Sequence, residues 1–455
     1  MTENLFFIIF ACIAVSYGWG MRGTIIGGEK GAMLPGAFMG LLIAVFSGSE
    51  VLSSSPWILA GAGALCMYCG GCMTYGETLG LSMNEADSPT LKKGLIALFI
   101  KGGIWFGIFG GLISMFISAI AGFYKLWQII LFFCLIPVSA VVFYLIFNHP
   151  HDVKNNRFPK IYFSVKRKEC WGGLLGILIE IIIFSSVTAD LSALAMTLGS
   201  FITGAAGWVI AQYMQVRAKH PFRNGKRLFE RLHRKNAVES WKLMECTLGA
   251  IGGIGCAVTF ILSKPLFSEK LTSIDKNGFH TYIQNKDITF LIAVIYAVIL
   301  LIDSIQYLVK TKENGLYKKY RKIADYTEFA LYSTVPLLLC MLGAHHVSAL
   351  VAFPVLLLVL VQELAEKRNK TGKKHPIRNL PDILIFVLTA VIVLISDRAF
   401  DTMSTMILYS AVYEICFYDM LKIEEGKIHL NNGAKGVHIY FGICCALVII
   451  MSIFI

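Results

Sequence analysis

A few ionisable residues interrupt long apolar runs in this chain, and they are the first places to look for chemistry. Glu180 is the sharpest case. It follows Gly172-Gly173-Leu174-Leu175-Gly176-Ile177-Leu178-Ile179 and precedes Ile181-Ile182-Ile183-Phe184. A carboxylate in such a setting costs several kcal/mol unless it meets a cavity or a partner. A deep carboxylate of this kind is suited to exchanging a proton or a cation, so Glu180 is expected to carry ion coupling.

A second concentration lies at Gly18-Trp19-Gly20-Met21-Arg22-Gly23-Thr24-Ile25-Ile26-Gly27-Gly28-Glu29-Lys30-Gly31, ahead of Ala32. Glycines allow positive φ and leave backbone N–H groups open. The N-terminus of a helix beginning near Ala32 adds partial positive charge. With Arg22 and Lys30 beside it, the stretch is expected to be a loop suited to an anion. Glu77, Lys101 and Glu245 fall at a similar depth, near the ends of other apolar runs. Arg22, Glu29, Lys30, Glu77, Lys101 and Glu245 are therefore expected to line one polar cavity, with Glu180 deeper.

Another candidate group lies at the opposite face. His345 and His346 sit in a short turn, and Asp190, Asp397 and Asp401 belong to connections assigned to the same side. Histidine with aspartate suits acid–base work or a metal. Cys66-Met67-Tyr68-Cys69-Gly70-Gly71-Cys72 has cluster-like spacing, but the position where an iron–sulfur run wants its fourth cysteine is Gly76. No metal or other cofactor is expected.

These residues need elements to hold them. The chain has 455 residues, is 56% hydrophobic and only 15% charged. Soluble domains carry about a quarter charged residues. Its apolar runs approach the length of a bilayer span, and no alternating barrel pattern occurs. The expected fold is all-α: a polytopic integral-membrane helical bundle of about 14 transmembrane helices (12–14), with no soluble domain. The expected spans are 5–19, 32–47, 56–76, 94–121, 126–147, 171–187, 191–215, 242–262, 288–309, 327–343, 347–362, 382–396, 403–420 and 437–454.

Lys and Arg crowd the connections at 148–170, 216–241, 310–326 and 363–381, and are scarce at 48–55, 188–190, 344–346 and 397–402. The connection 263–287 is mixed, with lysines partly offset by Glu269, Asp275 and Asp287. By the positive-inside rule the basic connections face the cytoplasm and both termini lie outside. The formal charge of +12 is thus a topology signal, with no nucleic-acid partner implied. Within 217–241, Leu228, Phe229 and Leu232 share a helical face among basic residues, which suits anionic lipid at the cytoplasmic surface. Met1-Thr2-Glu3-Asn4 has no basic n-region, so the first span is expected to be retained.

Glycine content divides the chain into a Gly-rich bundle over 1–262 and an aliphatic one over 263–455. Gly103, Gly107 and Gly111 repeat every four residues, as do Gly249 and Gly253. Such ridges let helices approach closely, within one chain or between protomers of an oligomer. Lys101 with Trp105, Glu169 with Trp171, and Glu239 with Trp241 form a weak echo of charge and Trp before a small-residue helix.

These features fit a secondary transporter of a plasma membrane, of the bacterial cytoplasmic type. It would be proton- or cation-coupled, for a small anionic solute or lipid head group. The alternative is an integral-membrane enzyme acting on a lipid-linked or cell-envelope substrate through the His345, His346, Asp190, Asp397 and Asp401 group, or through the inner loop of Arg22 and Glu29. No Walker A, H-E-x-x-H or G-x-S-x-G sequence is present.

Overall fold

The computed structural model describes residues 2–25, 28–73, 76–83, 89–165, 168–234, 240–309, 329–345, 347–348, 421–424 and 427–430; side chains at 2, 21–25, 28–30, 76–77, 233, 297, 300–309, 421–424 and 427–430 are not described. The helices are α1 (Thr2–Ile25), α2 (Gly28–Phe46), α3 (Glu50–Ser54), α4 (Pro56–Gly71), α5 (Gly76–Met83), α6 (Pro89–Ile120) and α7 (Leu126–Phe147). They continue with α8 (Trp171–Val187), α9 (Leu191–Lys219), α10 (Glu230–Arg234), α11 (Ser240–Asn277), α12 (Lys286–Val309) and α13 (Val335–Met341). A π-helical turn, Ala330–Thr334, runs into α13, and one antiparallel ribbon pairs Leu421 with Leu430 and Glu424 with Lys427. Among the described residues five helices are long and apolar enough to cross a membrane: Glu3–Gly20 within α1, then α6, α7, α9 and α11. Shorter apolar helices are Gly31–Phe46, Trp171–Val187 and Ala330–Met341. The expected spans at 347–362, 382–396, 403–420 and 437–454 lie wholly or almost wholly outside the described residues.

Two sequence expectations are corrected. The glycine stretch is not a loop: α1 continues to Ile25 and α2 already begins at Gly28. Glycine is a poor helix former in water, but tertiary packing overrides that preference. A Cβ at Gly18 would lie 2.8 Å from the Pro35 Cα, so the missing side chain is what lets α1 and α2 meet. Likewise, 263–277 is no connection, because α11 runs unbroken through Pro265 to Asn277. The change in glycine content at 262 therefore falls inside a helix.

Six helices close a ring. Helix α1 packs on α2, α2 on α4, α4 on α6, α6 on α9, α9 on α11, and α11 back on α1. Helices α7 and α8 form a hairpin outside the ring, with α8 against α6 and α9. Glycine sets several of these contacts. A Cβ at Gly102 of α6 would lie 2.6 Å from the Gly204 carbonyl oxygen of α9, and a Cβ at Gly204 would strike the Gly102 oxygen in return. Gly36 of α2 and Gly63 of α4 oppose each other in the same reciprocal way. Gly249 and Gly253 lie on the α1 backbone, while Gly107 and Gly111 receive side chains of both α8 and α9. These ridges are thus spent on contacts within the chain.

The ring has a packed interior. Trp19 of α1 reaches across it, with its ring centroid 5.2 Å from Trp105 and 6.0 Å from Phe106 on α6, and 5.9 Å from Trp208 on α9. Phe7 stacks on Phe46 of α2 and meets Phe260 of α11 edge-on. Offset and edge-on aromatic packing of this kind adds stability beyond area burial alone.

Candidate functional site

The connections sort by end. At one end Asp275 accepts from Ser49 and Val51, Ser273 donates to Ala121, and the His280 N–H donates to Ile120. The Tyr282 hydroxyl donates to the Tyr124 carbonyl there, and Lys270 meets Asp190. At the other end Lys242 donates to the Gly20 carbonyl, Gln212 to Ser82, and Cys170 to the Cys72 carbonyl, while Lys101 meets Glu169. The basic connections 148–170 and 216–241 thus share one end. The connections 48–55 and 188–190 share the opposite one.

Glu180 lies between these ends, midway along α8. It is 8% exposed, and its Oε2 accepts a hydrogen bond from Ser139 of α7. Its Oε1 is buried with no partner among the described residues. Gly176, one turn earlier, presses on the Ser139 carbonyl and brings the two helices close enough for that bond. Cys69 of α4 lies within electrostatic reach of Glu180 and near Ser333 of the π-helical turn. Turns of this type recur at functional sites, because they interrupt the regular backbone ladder. The carboxylate is therefore held by α7, with the Cys69 thiol of α4 in its electrostatic surroundings. Sequence showed its depth but not these neighbours, which come from segments far apart in the chain.

Of the six residues expected around a cavity, Lys101 and Glu245 have described side chains. Lys101 is buried; its ammonium donates to Glu169 Oε1 at 2.7 Å and to Thr78 Oγ1 at 2.8 Å. The other oxygen of Glu169 accepts the Phe163 N–H at 2.7 Å. Glu169 was visible in sequence only as part of the charge-and-Trp echo. Glu245 accepts from Trp241 Nε1 at 3.0 Å and from Lys242 at 3.1 Å. Arg22, Glu29, Lys30 and Glu77 belong to α1, α2 and α5, and their side chains lie outside the described set.

In the opposite-face group, Asp190 and His345 are described. Asp190 caps α9, accepting the Ala193 N–H at 3.0 Å. Its oxygens also accept from Ser118, Tyr124, Ser192 and Lys270, so five donors converge on one carboxylate. His345 packs against Phe279, with ring centroids 5.4 Å apart. His346, Asp397 and Asp401 lie outside the described residues. Cys66 and Cys69 are buried within the bundle, and the Cys72 thiol donates back to the Tyr68 carbonyl. Among the described residues no three His, Cys, Asp or Glu side chains come together as a metal-binding group.

Burial alone would raise the Asp190 pKa, but the Lys270 charge and the hydrogen bonds from Lys270, Ser118 and Ser192 hold it below the ordinary aspartate range. A depressed folded-state pKa adds stability that is present above the unfolded pKa and lost as pH falls through the folded one. The gap in melting temperature between wild type and Asp190→Asn should therefore be full at neutral pH. It should shrink below about pH 4, the unperturbed aspartate value. A gap that stays constant into the acid range would contradict this assignment.

No protein-family model, curated protein or solved structure matches this chain, so its functional reading rests on the geometry of Glu180 and the two bundle ends.

Proposed function

We propose that this protein is a secondary transporter of a plasma membrane in which Glu180 binds the coupling proton or cation. One observation carries the reading. A carboxylate stands halfway along an apolar helix, with one oxygen held by Ser139 and the other lacking a partner among the described residues. Leaving a buried polar atom unsatisfied costs about 1–3 kcal/mol, which a purely structural residue would have no reason to bear. An ion-exchanging group must have a coordination position to give. The transported solute is a small anion or lipid head group, attracted by Arg22 of α1 and Lys30 of α2. The ends with basic connections face the cytoplasm. The enzyme reading has less support, because the five donors on Asp190 leave that carboxylate little capacity for a substrate.

The test has two stages. A thermal-shift screen of purified protein across organic and inorganic anions, sugars, amino acids and lipid head groups identifies a ligand. A ligand at a hundred times its Kd stabilises by about 2.7 kcal/mol, enough to detect. Uptake of that ligand into proteoliposomes is then measured with and without a pH or cation gradient. Glu180→Gln should bind the ligand but lose gradient-driven accumulation by at least tenfold. Undiminished accumulation by a well-folded Glu180→Gln variant would remove Glu180 from the coupling role.

A further inference from the structure

The cluster around Lys270 has a hydrogen-bond polarity that goes beyond an ordinary ion pair. Asp190 is fully buried, and as a carboxylate it can only accept. The hydroxyls of Ser118 and Ser192 lie 2.6 Å from its Oδ2 and Oδ1 respectively. Ser118 Oγ also lies 3.1 Å from the Ser114 carbonyl, but the shorter contact to a charged oxygen takes its hydrogen, so each hydroxyl donates to the carboxylate. Their lone pairs are then turned away from Asp190. Both point at the same atom. Lys270 Nζ stands 2.7 Å from Ser118 Oγ, 2.7 Å from Ser192 Oγ and 2.6 Å from Asp190 Oδ1.

Three oxygens from α6, the α8–α9 connection and α9 thus converge on one point, and the three hydrogens of the ammonium satisfy them one for one. The Phe123 ring lies 4.4 Å from the same nitrogen, an additional cation–π partner. Tyr124 also donates its hydroxyl to Asp190 Oδ2 and helps to fix the carboxylate. Oxygen lone pairs converging on a point are what a hard cation requires. One carboxylate balances one charge, so the matching ion is monovalent.

We propose that Asp190, Ser118 and Ser192 form a monovalent-cation site that Lys270 occupies as a tethered ion, and that an alkali cation fills it when the lysine is absent. The site is separate from Glu180 and does not depend on the transport reading. The native chain carries its own cation on α11, so this end of the bundle closes without a dissolved one.

The test compares wild type, Lys270→Ala and the double variant Lys270→Ala/Asp190→Asn as full-length protein in detergent. Melting temperature is read in NaCl, KCl, LiCl and choline chloride at constant ionic strength. Wild type should melt at the same temperature in all four salts. Lys270→Ala should melt lower in choline chloride and recover by several degrees, saturably, as one or more alkali cations are added. The double variant should not respond to cation identity. Lys270→Ala that can be purified only in an alkali salt would also support the site. Equal destabilisation in every salt, failure to fold in every salt, or a cation response that survives Asp190→Asn would each overturn the proposal.

Discussion

Lys101→Met is expected to destabilise the folded protein by about 3–5 kcal/mol, the range found when one partner of a buried ion pair is removed. The size follows from what remains. Glu169 is 1% exposed and cannot recover water once the ammonium is gone. Its bond from the Phe163 N–H satisfies one oxygen, leaving the charge itself uncompensated. A second change, Glu169→Gln, removes that charge and should recover much of the loss, because a neutral pair in this position needs far less solvation. The double-mutant cycle in thermal or denaturant unfolding should therefore show strong coupling. Additive losses would mean that the two side chains act independently. The effect also has a structural reach, since the pair ties α6 to the segment leading into α8 and, through Thr78, to α5.

Gly249→Ala should be strongly destabilising for the addition of a single methyl group. Its Cβ would lie 2.5 Å from both the Ser16 Cα and the Val15 carbonyl oxygen. Both obstacles are backbone, so no side chain can swing aside and α1 must move away from α11. Overpacking costs about 1–3 kcal/mol where side chains can yield, and a rigid obstacle places this change at the upper end or beyond. Gly80→Ala provides the internal contrast. It is also a helical glycine, but nothing lies within 4 Å of the position its Cβ would take. There the same substitution should stabilise by about 0.5–1 kcal/mol, through backbone entropy alone. Yields of monodisperse protein and melting temperatures of the two variants, measured side by side, check the opposite signs. A neutral Gly249→Ala would show that the α1–α11 contact is looser than its geometry.

These two predictions also mark what could be read from the amino acids. Hydropathy placed α7 and α8 at their observed bounds, because each is an apolar run ended by polar residues. The glycine periodicities at 103–111 and 249–253 identified real contact surfaces, since spacing by four keeps small residues on one helix face. The extension of α11 to Asn277 was hidden. Lys264, Pro265, Glu269 and Lys270 look like a connection to any scale that equates span with apolarity, yet a helix can outrun its apolar section when its polar residues find partners. Those partners are distant: Lys270 and Asp190 are 80 residues apart, and Lys101 and Glu169 are 68 apart. Local pattern marks a charge as costly, but only the packed fold selects its counter-ion. The glycine stretch at 18–31 misled for the opposite reason. Its composition matches a loop, and only the close approach of α2 shows why a side chain is missing at Gly18.

The closed ring has a consequence for biosynthesis. Its first and last members seal against each other: Ser16 donates to the Cys246 carbonyl across 230 residues of sequence. At synthesis rates of about 5–20 residues per second, α1 waits on the order of 10–50 s for this partner to emerge. During that interval its α11-facing side is unpaired, and until α9 emerges Trp19 also lacks the Trp208 ring. A nascent chain stalled before α11 is thus an open arc with an exposed seam, the sort of species that insertion chaperones shield and membrane proteases remove. Emergence of Gly249 and Gly253 is what allows that seam to close.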